Sequence, residues 1–240
     1  MKFKIQINKY FKTSVFLILC VNVFGQFDFE NQIVKKKYTV DIVDSIYGIT
    51  IYEPLNIYLN SDSTRFEKGY TINGWKEDYY DTGQLLHRGY YIDGQLKVYK
   101  NYFPNGKLER SFKVIDTYRS KVLLYYPTGN IKSKISYANN FATEWIDYNK
   151  NGQLSYYEKY NNDQISHELK IDYYENGNKR DELIVVNKKK KYYDFNEYYN
   201  NGLIKTQGHL KFEESKFDYV KYGNWSHFNK SGEFQKKDKY

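Results

Sequence analysis

The stretch Tyr102-Phe103-Pro104-Asn105-Gly106-Lys107-Leu108 contains two adjacent aromatic residues, two turn residues, a glycine and an apolar residue. The arrangement recurs along the 240-residue chain, with 23, 23, 23, 25, 25 and 30 residues between successive glycines. Similarity at a nearly constant period is the signature of a repeat array. The repeating glycines, predicted to be structural, are Gly83, Gly106, Gly129, Gly152, Gly177, Gly202 and Gly232.

The glycine positions predict tight turns between β-strands. Four of the seven glycines follow asparagine, and Asn-Gly is a strong hairpin signal because both residues tolerate positive φ. Pro104 and Pro127 each lie two positions before a repeat glycine, which suits a type I turn followed by a left-handed glycine. A second set of turn signals lies about halfway between the glycines, so each unit is predicted to be a hairpin. Those signals are Asp93-Gly94, Asp116-Thr117, Asn139-Asn140, Asn161-Asn162-Asp163 and residues 187–191.

The composition favours strands over helices. The chain has 29 tyrosines and 15 phenylalanines but only two alanines and one methionine. We therefore expect an all-β fold, an elongated antiparallel meander of tandem β-hairpins with strands of about seven or eight residues. The sheet is predicted to be a single layer or shallowly curled.

The paired aromatic residues identify candidate binding positions. Neighbouring residues of a strand point to opposite faces, so Tyr79 and Tyr80 are expected on the two sides of the sheet. Tyrosine can stack on its equivalent in the next unit, and this structural role is the main interpretation. Exposed aromatic residues are also natural interface anchors. The candidates are Trp75, Tyr79, Tyr80, Tyr102, Tyr125, Trp145, Tyr173, Tyr198 and Trp225.

The N-terminus resembles a secretory signal peptide. Four lysines precede a short apolar run, and Gly25 provides a small residue before the expected cleavage point at Gln26. The apolar run is too short to span a bilayer, which favours a cleaved signal. A retained anchor is the alternative. Leu19 departs from the small residue that a lipoprotein box needs before Cys20, which disfavours a lipid anchor. We expect export to the periplasm, the outer surface or the medium.

Three segments are predicted. Residues 1–25 form the signal peptide, 26–68 an N-terminal β segment that caps the array, and 69–240 the tandem hairpins. A degenerate copy of the repeat is one interpretation of residues 58–62. A terminal cap would protect the edge of an open repeat sheet.

The charge gives little support to a nucleic-acid partner. The formal net charge is +8, but the signal contains four basic residues and no acidic one, so +4 remains after its removal. Nucleic-acid binding needs a concentrated basic face. The lysine run 188–191 is interpreted as a solvated turn, with contact to anionic lipid or polysaccharide as the alternative.

No catalytic or cofactor motif is evident. The histidines His87, His167, His209 and His227 occur singly and are expected at surface or cross-strand positions. No phosphate loop, nucleophile elbow or zincin motif occurs. We expect no enzymatic activity, no cofactor and no metal.

Gly74-Trp75 followed by Tyr79-Tyr80-Asp81-Thr82-Gly83-Gln84-Leu85, with the later copies, resembles the MORN repeat variant of YwqK-like bacterial proteins. The resemblance covers about residues 70–234, and Asn149 and Lys179 depart from its pattern. It implies an array of β-hairpins and a non-catalytic recognition role. Related proteins are often described as antitoxin components, and MORN repeats are associated with protein contacts and membrane phospholipids.

Three functions follow as hypotheses. The first is an exported recognition or scaffold module that binds an unidentified protein at the cell envelope through its tyrosine-rich face. The second is an antitoxin or immunity component whose partner is a toxin. The third is an envelope protein that binds anionic phospholipid or glycan, which high salt would weaken.

Overall fold

The structure is a computed structural model that describes residues 64–240, and this part of the chain contains strands and turns but no helix. The predicted signal peptide, the copy at residues 58–62 and most of the predicted cap lie outside the described residues. The sixteen strands are β1 (Phe66–Glu67), β2 (Tyr70–Thr71), β3 (Gly74–Tyr79), β4 (Leu85–Ile92), β5 (Gln95–Tyr102), β6 (Leu108–Val114), β7 (Arg119–Tyr125), β8 (Ile131–Ala138), β9 (Phe141–Tyr148), β10 (Leu154–Tyr160), β11 (His167–Tyr173), β12 (Lys179–Asn187), β13 (Tyr192–Tyr198), β14 (Ile204–Glu213), β15 (Asp218–Phe228) and β16 (Phe234–Lys239).

Fourteen strands form one antiparallel sheet whose order is the order of the chain. From β3 to β16 each strand pairs with its sequence neighbours, and β3 does not pair with β16, so the sheet is open. Strands β1 and β2 form a separate small hairpin. The predicted all-β meander of tandem hairpins is confirmed. The strands of the large sheet have six to eleven residues, a wider range than the expected seven or eight.

The seven repeat glycines close seven hairpins of one geometry. In the first of them the amide of Gly83 donates to the carbonyl of Tyr80 at 2.9 Å, and the amide of Tyr80 donates to the carbonyl of Gln84 at 2.8 Å. All seven glycines have φ between 77° and 98°, a region that residues with a side chain rarely adopt. This is the turn with a left-handed glycine that Pro104 predicted.

The expected role of the asparagines in these turns is wrong. None of the four that precede a repeat glycine has positive φ, so the turns are not the two-residue Asn-Gly type. Each asparagine side chain instead accepts a hydrogen bond from the amide two residues later, as Asn105 does from Lys107 at 3.0 Å. Two turns halfway between repeat glycines have two consecutive positive φ values, Asp93-Gly94 and Asn139-Asn140, and so does the Lys68-Gly69 turn between β1 and β2.

Side chains at the glycine turns link each unit to the next. The second aromatic residue of a unit donates its hydroxyl to the carbonyl of the first aromatic residue in the following unit, as Tyr80 does to Tyr102 at 2.8 Å. The same bond joins Tyr126 to Tyr148, Tyr174 to Tyr198 and Tyr199 to Phe228. Asparagine amides add bonds from Asn105 to Pro127, Asn130 to Lys150, Asn176 to Asn200 and Asn201 to Lys230.

Substituting Tyr80 with phenylalanine is expected to lower the free energy of unfolding by about 1 kcal/mol. The ring stays packed, because Tyr80 is only 3% exposed, but the variant lacks the hydroxyl that donates to the backbone carbonyl of Tyr102. Urea unfolding of the variant measures the loss. Tyr125→Phe is the matched control, because the Tyr125 hydroxyl donates no hydrogen bond within residues 64–240; an equal loss there would contradict the role of the link.

The two faces of the large sheet differ in composition. Tyr99, Phe112 and Val122 lie opposite one another on β5, β6 and β7 and define the core face. The other face, on which Arg88 and Lys100 are opposite one another, is called the open face. Two separate apolar clusters lie along the core face. The first contains Ile72, Tyr80, Leu86, Tyr91, Leu96, Tyr99, Phe112, Val122, Ile135 and Tyr137; the second contains Leu183, Tyr193, Leu210, Phe212 and Trp225.

A polar seam on β10 and β11 separates the two clusters. Glu158 accepts a hydrogen bond from the Tyr156 hydroxyl at 2.5 Å and lies 3.2 Å from Nε2 of His167. The Tyr219 hydroxyl accepts from the backbone amide of His167 at 2.9 Å and lies 2.7 Å from its Nδ1. Three strands lie between β11 and β15 in the sheet, so the core face must curve for these two residues to meet.

Candidate binding surface

The first aromatic residue of each unit lies at the same place on the sheet. In all seven glycine hairpins it pairs with the residue two positions after the glycine, as Tyr79 does with Leu85. A register shift adjoins that pair in every hairpin. Because the same bulge is present in each hairpin, the side chain of the first aromatic residue points in the same direction in every unit. The pairs are Tyr79 with Leu85, Tyr102 with Leu108, Tyr125 with Ile131, Tyr148 with Leu154, Tyr173 with Lys179, Tyr198 with Ile204, and Phe228 with Phe234.

These seven aromatic residues form a stripe on the open face, which we call the aromatic stripe. Asn101 and Asp172, which directly precede members of the stripe, point to the core face, so alternation along the strand directs Tyr102 and Tyr173 to the open face. The side chains are half-buried or exposed, and Tyr79 is 48% exposed. The stripe is thus an accessible band of apolar rings along the glycine-turn side of the sheet.

Five of the predicted binding residues lie on the stripe: Tyr79, Tyr102, Tyr125, Tyr173 and Tyr198. Trp75 also lies on the open face, where it is 55% exposed and packs edge to face against Tyr90 with ring centres 5.4 Å apart. The structure therefore brings six of the nine candidates to one face.

Three candidates lie elsewhere. Tyr80 and Trp225 are 3% and 2% exposed and belong to the apolar clusters, so neither presents its ring to a partner. Trp145 is half-buried on the core face opposite Ile135, and its indole Nε1 donates to Asp147 at 2.7 Å. These three residues stabilise the sheet.

Two members of the stripe were missed from the sequence. Tyr148 and Phe228 occupy the first aromatic position of their units, but their following residues are asparagines instead of aromatic residues. The alternation of side chains along a strand identifies them, because only the first position of each pair shares a face with the other units. The distance of four residues before each glycine is the signal that finds all seven.

The lysine run at 188–191 is partly neutralised. Lys191 contacts Asp163 and Glu214, both at 2.8 Å, and Lys188 lies 3.2 Å from Glu168. Hydrogen bonds from Lys191 and the backbone hold the pKa of Asp163 below its usual value, although burial opposes this. Lys188 and Lys191 therefore link this turn to neighbouring ones through ion pairs. Lys189 and Lys190 have no ion pair within residues 64–240.

Two of the histidines have structural positions. His87 is fully buried and takes the cross-strand one of the two expected positions: it lies opposite Asn101, with Nδ1 2.7 Å from the Asn101 amide oxygen and Nε2 3.0 Å from the Tyr91 hydroxyl. Burial lowers the pKa of His87 to about 4. His167 belongs to the polar seam. Burial raises the pKa of Glu158 there, but hydrogen bonds, the strongest from His167, outweigh it and the net shift is downward.

Within residues 64–240 no group of three or more histidine, cysteine or carboxylate side chains is arranged to hold a metal ion. The same part of the chain contains no helix long and apolar enough to cross a membrane. The surface depressions of this part of the chain are shallow. One of about 550 Å³ is lined by residues that include Glu144, Lys159 and Glu168, and a more polar one of about 390 Å³ by Asp194, His209 and Lys237 among others.

Comparison with known proteins adds little to this description. No protein-family model matches the chain, and no curated protein matches it. A solved protein of unknown function from Bacteroides fragilis is similar at 12% identity, over 70% of this chain and 93% of its own, with a TM-score of 0.14. A score this low supports no argument about fold or function.

Proposed function

We propose that this chain is an exported, non-enzymatic recognition module that binds another protein of the cell envelope through its aromatic stripe. The observation that supports the proposal is the repetition of one aromatic residue at the same surface position in all seven units, exposed at Tyr79 and partly buried in the other six. Tyrosine and phenylalanine are enriched at protein interfaces because they bury large areas with few rotatable bonds.

Most stripe residues have no side-chain hydrogen bond within the described part of the chain; the exceptions are Tyr198, whose hydroxyl donates to the buried Glu182, and Tyr79, whose hydroxyl donates to Glu77. Links between units use the hydroxyls of the second aromatic residues and only the backbone carbonyls of the first. Tyr102, Tyr125, Tyr148 and Tyr173 donate no side-chain hydrogen bond within the described part of the chain. Their rings and hydroxyls are therefore available to a partner without loss of these links.

The double substitution Tyr148→Ser and Tyr173→Ser is expected to weaken capture of the envelope partner by at least about tenfold, or 1.4 kcal/mol. A photo-reactive group at Gln153, an exposed turn position, would trap the partner in native envelopes with the full chain. Titration of the purified partner then measures the affinity of each variant.

The matched control carries Lys150→Ala and Glu175→Ala, two exposed turn residues close to the same rings. We expect this control to bind within about twofold of the original chain. Equal binding by the stripe variant, with an unchanged thermal midpoint, would exclude the stripe as the interface. The identity of the trapped protein distinguishes an envelope scaffold from neutralisation of a toxin.

A further inference from the structure

Five cationic side chains cross the open face in a continuous row, which we call the basic row. Each of the five adjacent strands from β4 to β8 contributes one, and all five are exposed. The members are Arg88, Lys100, Lys113, Lys121 and Lys134. They are 12, 13, 8 and 13 residues apart in the chain, so only the strand register brings them together.

The register makes neighbouring members close. Arg88 is directly opposite Lys100, and Lys113 is directly opposite Lys121. Lys100 and Lys113 are diagonal neighbours across β5 and β6, as are Lys121 and Lys134 across β7 and β8. Directly opposite Cβ atoms lie about 5 Å apart and diagonal ones about 7–8 Å. The row thus crosses four strand intervals, about 19 Å in total.

Within the described residues, the four lysines of the row have no carboxylate counterion. Within residues 64–240 no carboxylate lies within 4.0 Å of Lys100, Lys113, Lys121 or Lys134, and only Arg88 has an acidic neighbour, Glu77 at 3.5 Å. Some lysines in the second half of the sheet do have carboxylate partners, such as Lys159 with Glu168 and Lys205 with Glu197.

Like charges directly opposite in an antiparallel pair destabilise a sheet. The Lys113 and Lys121 pair is such an arrangement, and no acidic side chain on β5 to β8 of the open face offsets it. A bound anion would remove this repulsion. Binding of an anion to the row is therefore favoured, because it would reduce the repulsion between these lysines.

Aromatic rings border the row on its glycine-turn side. Tyr102, Tyr125 and Tyr148 of the aromatic stripe lie beside it, one for every two strands. The Lys134 ammonium lies 5.0 Å from the centre of the Tyr148 ring. At the other end, a depression of about 170 Å³ is lined by Trp75, Arg88, Val98, Tyr99, Lys100 and Tyr102. Each strand from β4 to β8 thus supplies one cation, and β5, β7 and β9 each supply one tyrosine ring.

We propose that the basic row, with the adjoining tyrosines, binds an acidic polysaccharide that lies across the strands. Each strand carries one cation and neighbouring strands are about 4.8 Å apart, which suits an extended sugar chain with one carboxylate on each sugar. The apolar faces of every second sugar can pack on the tyrosine rings. This ligand is additional to the protein partner proposed above and does not depend on it.

Two other polyanions fit the row less well. An acidic peptide that adds a strand needs a free sheet edge, whereas β4 to β8 are each paired on both sides. Single-stranded nucleic acid stacks successive bases on aromatic side chains, whereas this surface offers only one ring for every two cations. The acidic polysaccharide satisfies both the charge spacing and the ring spacing.

The test uses the full chain and polygalacturonate as the probe, with neutral dextran of equal length as the reference. We expect saturable binding of polygalacturonate at low salt, a weaker affinity at 0.3 M salt because of screening, and no binding of dextran. The Lys113→Gln, Lys121→Gln double variant should lose at least tenfold in affinity. Lys189→Gln, Lys190→Gln is the matched control, since it removes the same charge from an exposed turn and should bind within twofold.

Three results would overturn the proposal. These are absence of polygalacturonate binding at low salt, an equal loss of affinity in the two double variants, and tighter binding of poly-dT, polyglutamate or anionic phospholipid vesicles of equal charge. A readout without ligand guards against misfolding: removing the Lys113 and Lys121 repulsion should leave the thermal midpoint unchanged or raise it. A fall in that midpoint would contradict the inferred repulsion.

Discussion

The Gly208→Ala variant is expected to lose about 3 kcal/mol of its free energy of unfolding. Gly208 lies on the core face opposite Phe195, beneath the indole of Trp225. A Cβ atom built there would be 2.5 Å from Cε2 of Trp225 and closer still to Cδ2. The indole cannot yield easily because Trp225 is 2% exposed and belongs to the second apolar cluster.

Chemical unfolding of Gly208→Ala and of Gln207→Ala separates the steric effect from a general cost of substitution in β14. Gln207 is exposed and points to the open face, so its substitution should change stability by less than about 0.5 kcal/mol. A double-mutant cycle with Trp225→Leu adds a specific test. If Gly208→Ala costs as much when the indole is absent, contact with Trp225 is not the cause.

Lowering the pH from 6.5 to 4 is expected to remove about 3 kcal/mol of stability through His87 alone. The folded protein holds this buried imidazole neutral, with its pKa lowered to about 4 by burial, whereas the unfolded chain protonates it near pH 6.5. Between these values the unfolded state binds more protons, so stability falls as the pH falls. Above pH 6.5 and below pH 4 both states bind the same number, and His87 adds no further dependence.

Urea unfolding at a series of pH values measures this slope, and His87→Gln should flatten it between pH 6.5 and 4. The control is His209→Gln, because the His209 side chain is half-exposed and its Nδ1 lies 2.8 Å from the Asp194 carboxylate. An unchanged slope in the His87 variant would exclude this histidine as its source. Glu158 acts at lower pH: its folded pKa is depressed, so its contribution is lost only as the pH falls below the ordinary glutamate range.

The fold could be predicted from the sequence because each repeat contains its own signals for two turns and two strands. Glycine at seven equivalent positions and turn residues halfway between them define every strand of the large sheet, and local errors such as the two-residue interpretation of Asn105-Gly106 do not change the topology. The positive φ values expected there occur at Asn139-Asn140 instead, where neither residue is glycine.

The surfaces could be predicted only in part. The first aromatic residues were identified in five units, but their common face depends on a bulge beside each pair, and the sequence does not show a bulge. Burial of Tyr80 and Trp225 depends on the curvature of the core face. The basic row depends on register across five strands, so Lys113 and Lys121, eight residues apart, cannot be recognised as neighbours before the pairing is known.

In the large sheet the strand order is the chain order, so the number of repeats determines the number of strands. Every strand from β4 to β15 pairs only with the strands before and after it in the chain, and each glycine turn bonds only to the next one. Duplicating a unit within a gene would therefore insert two strands without altering any existing register. The extent of the open face across the strands is thus set by the number of repeats, which evolution or an engineer can change one hairpin at a time.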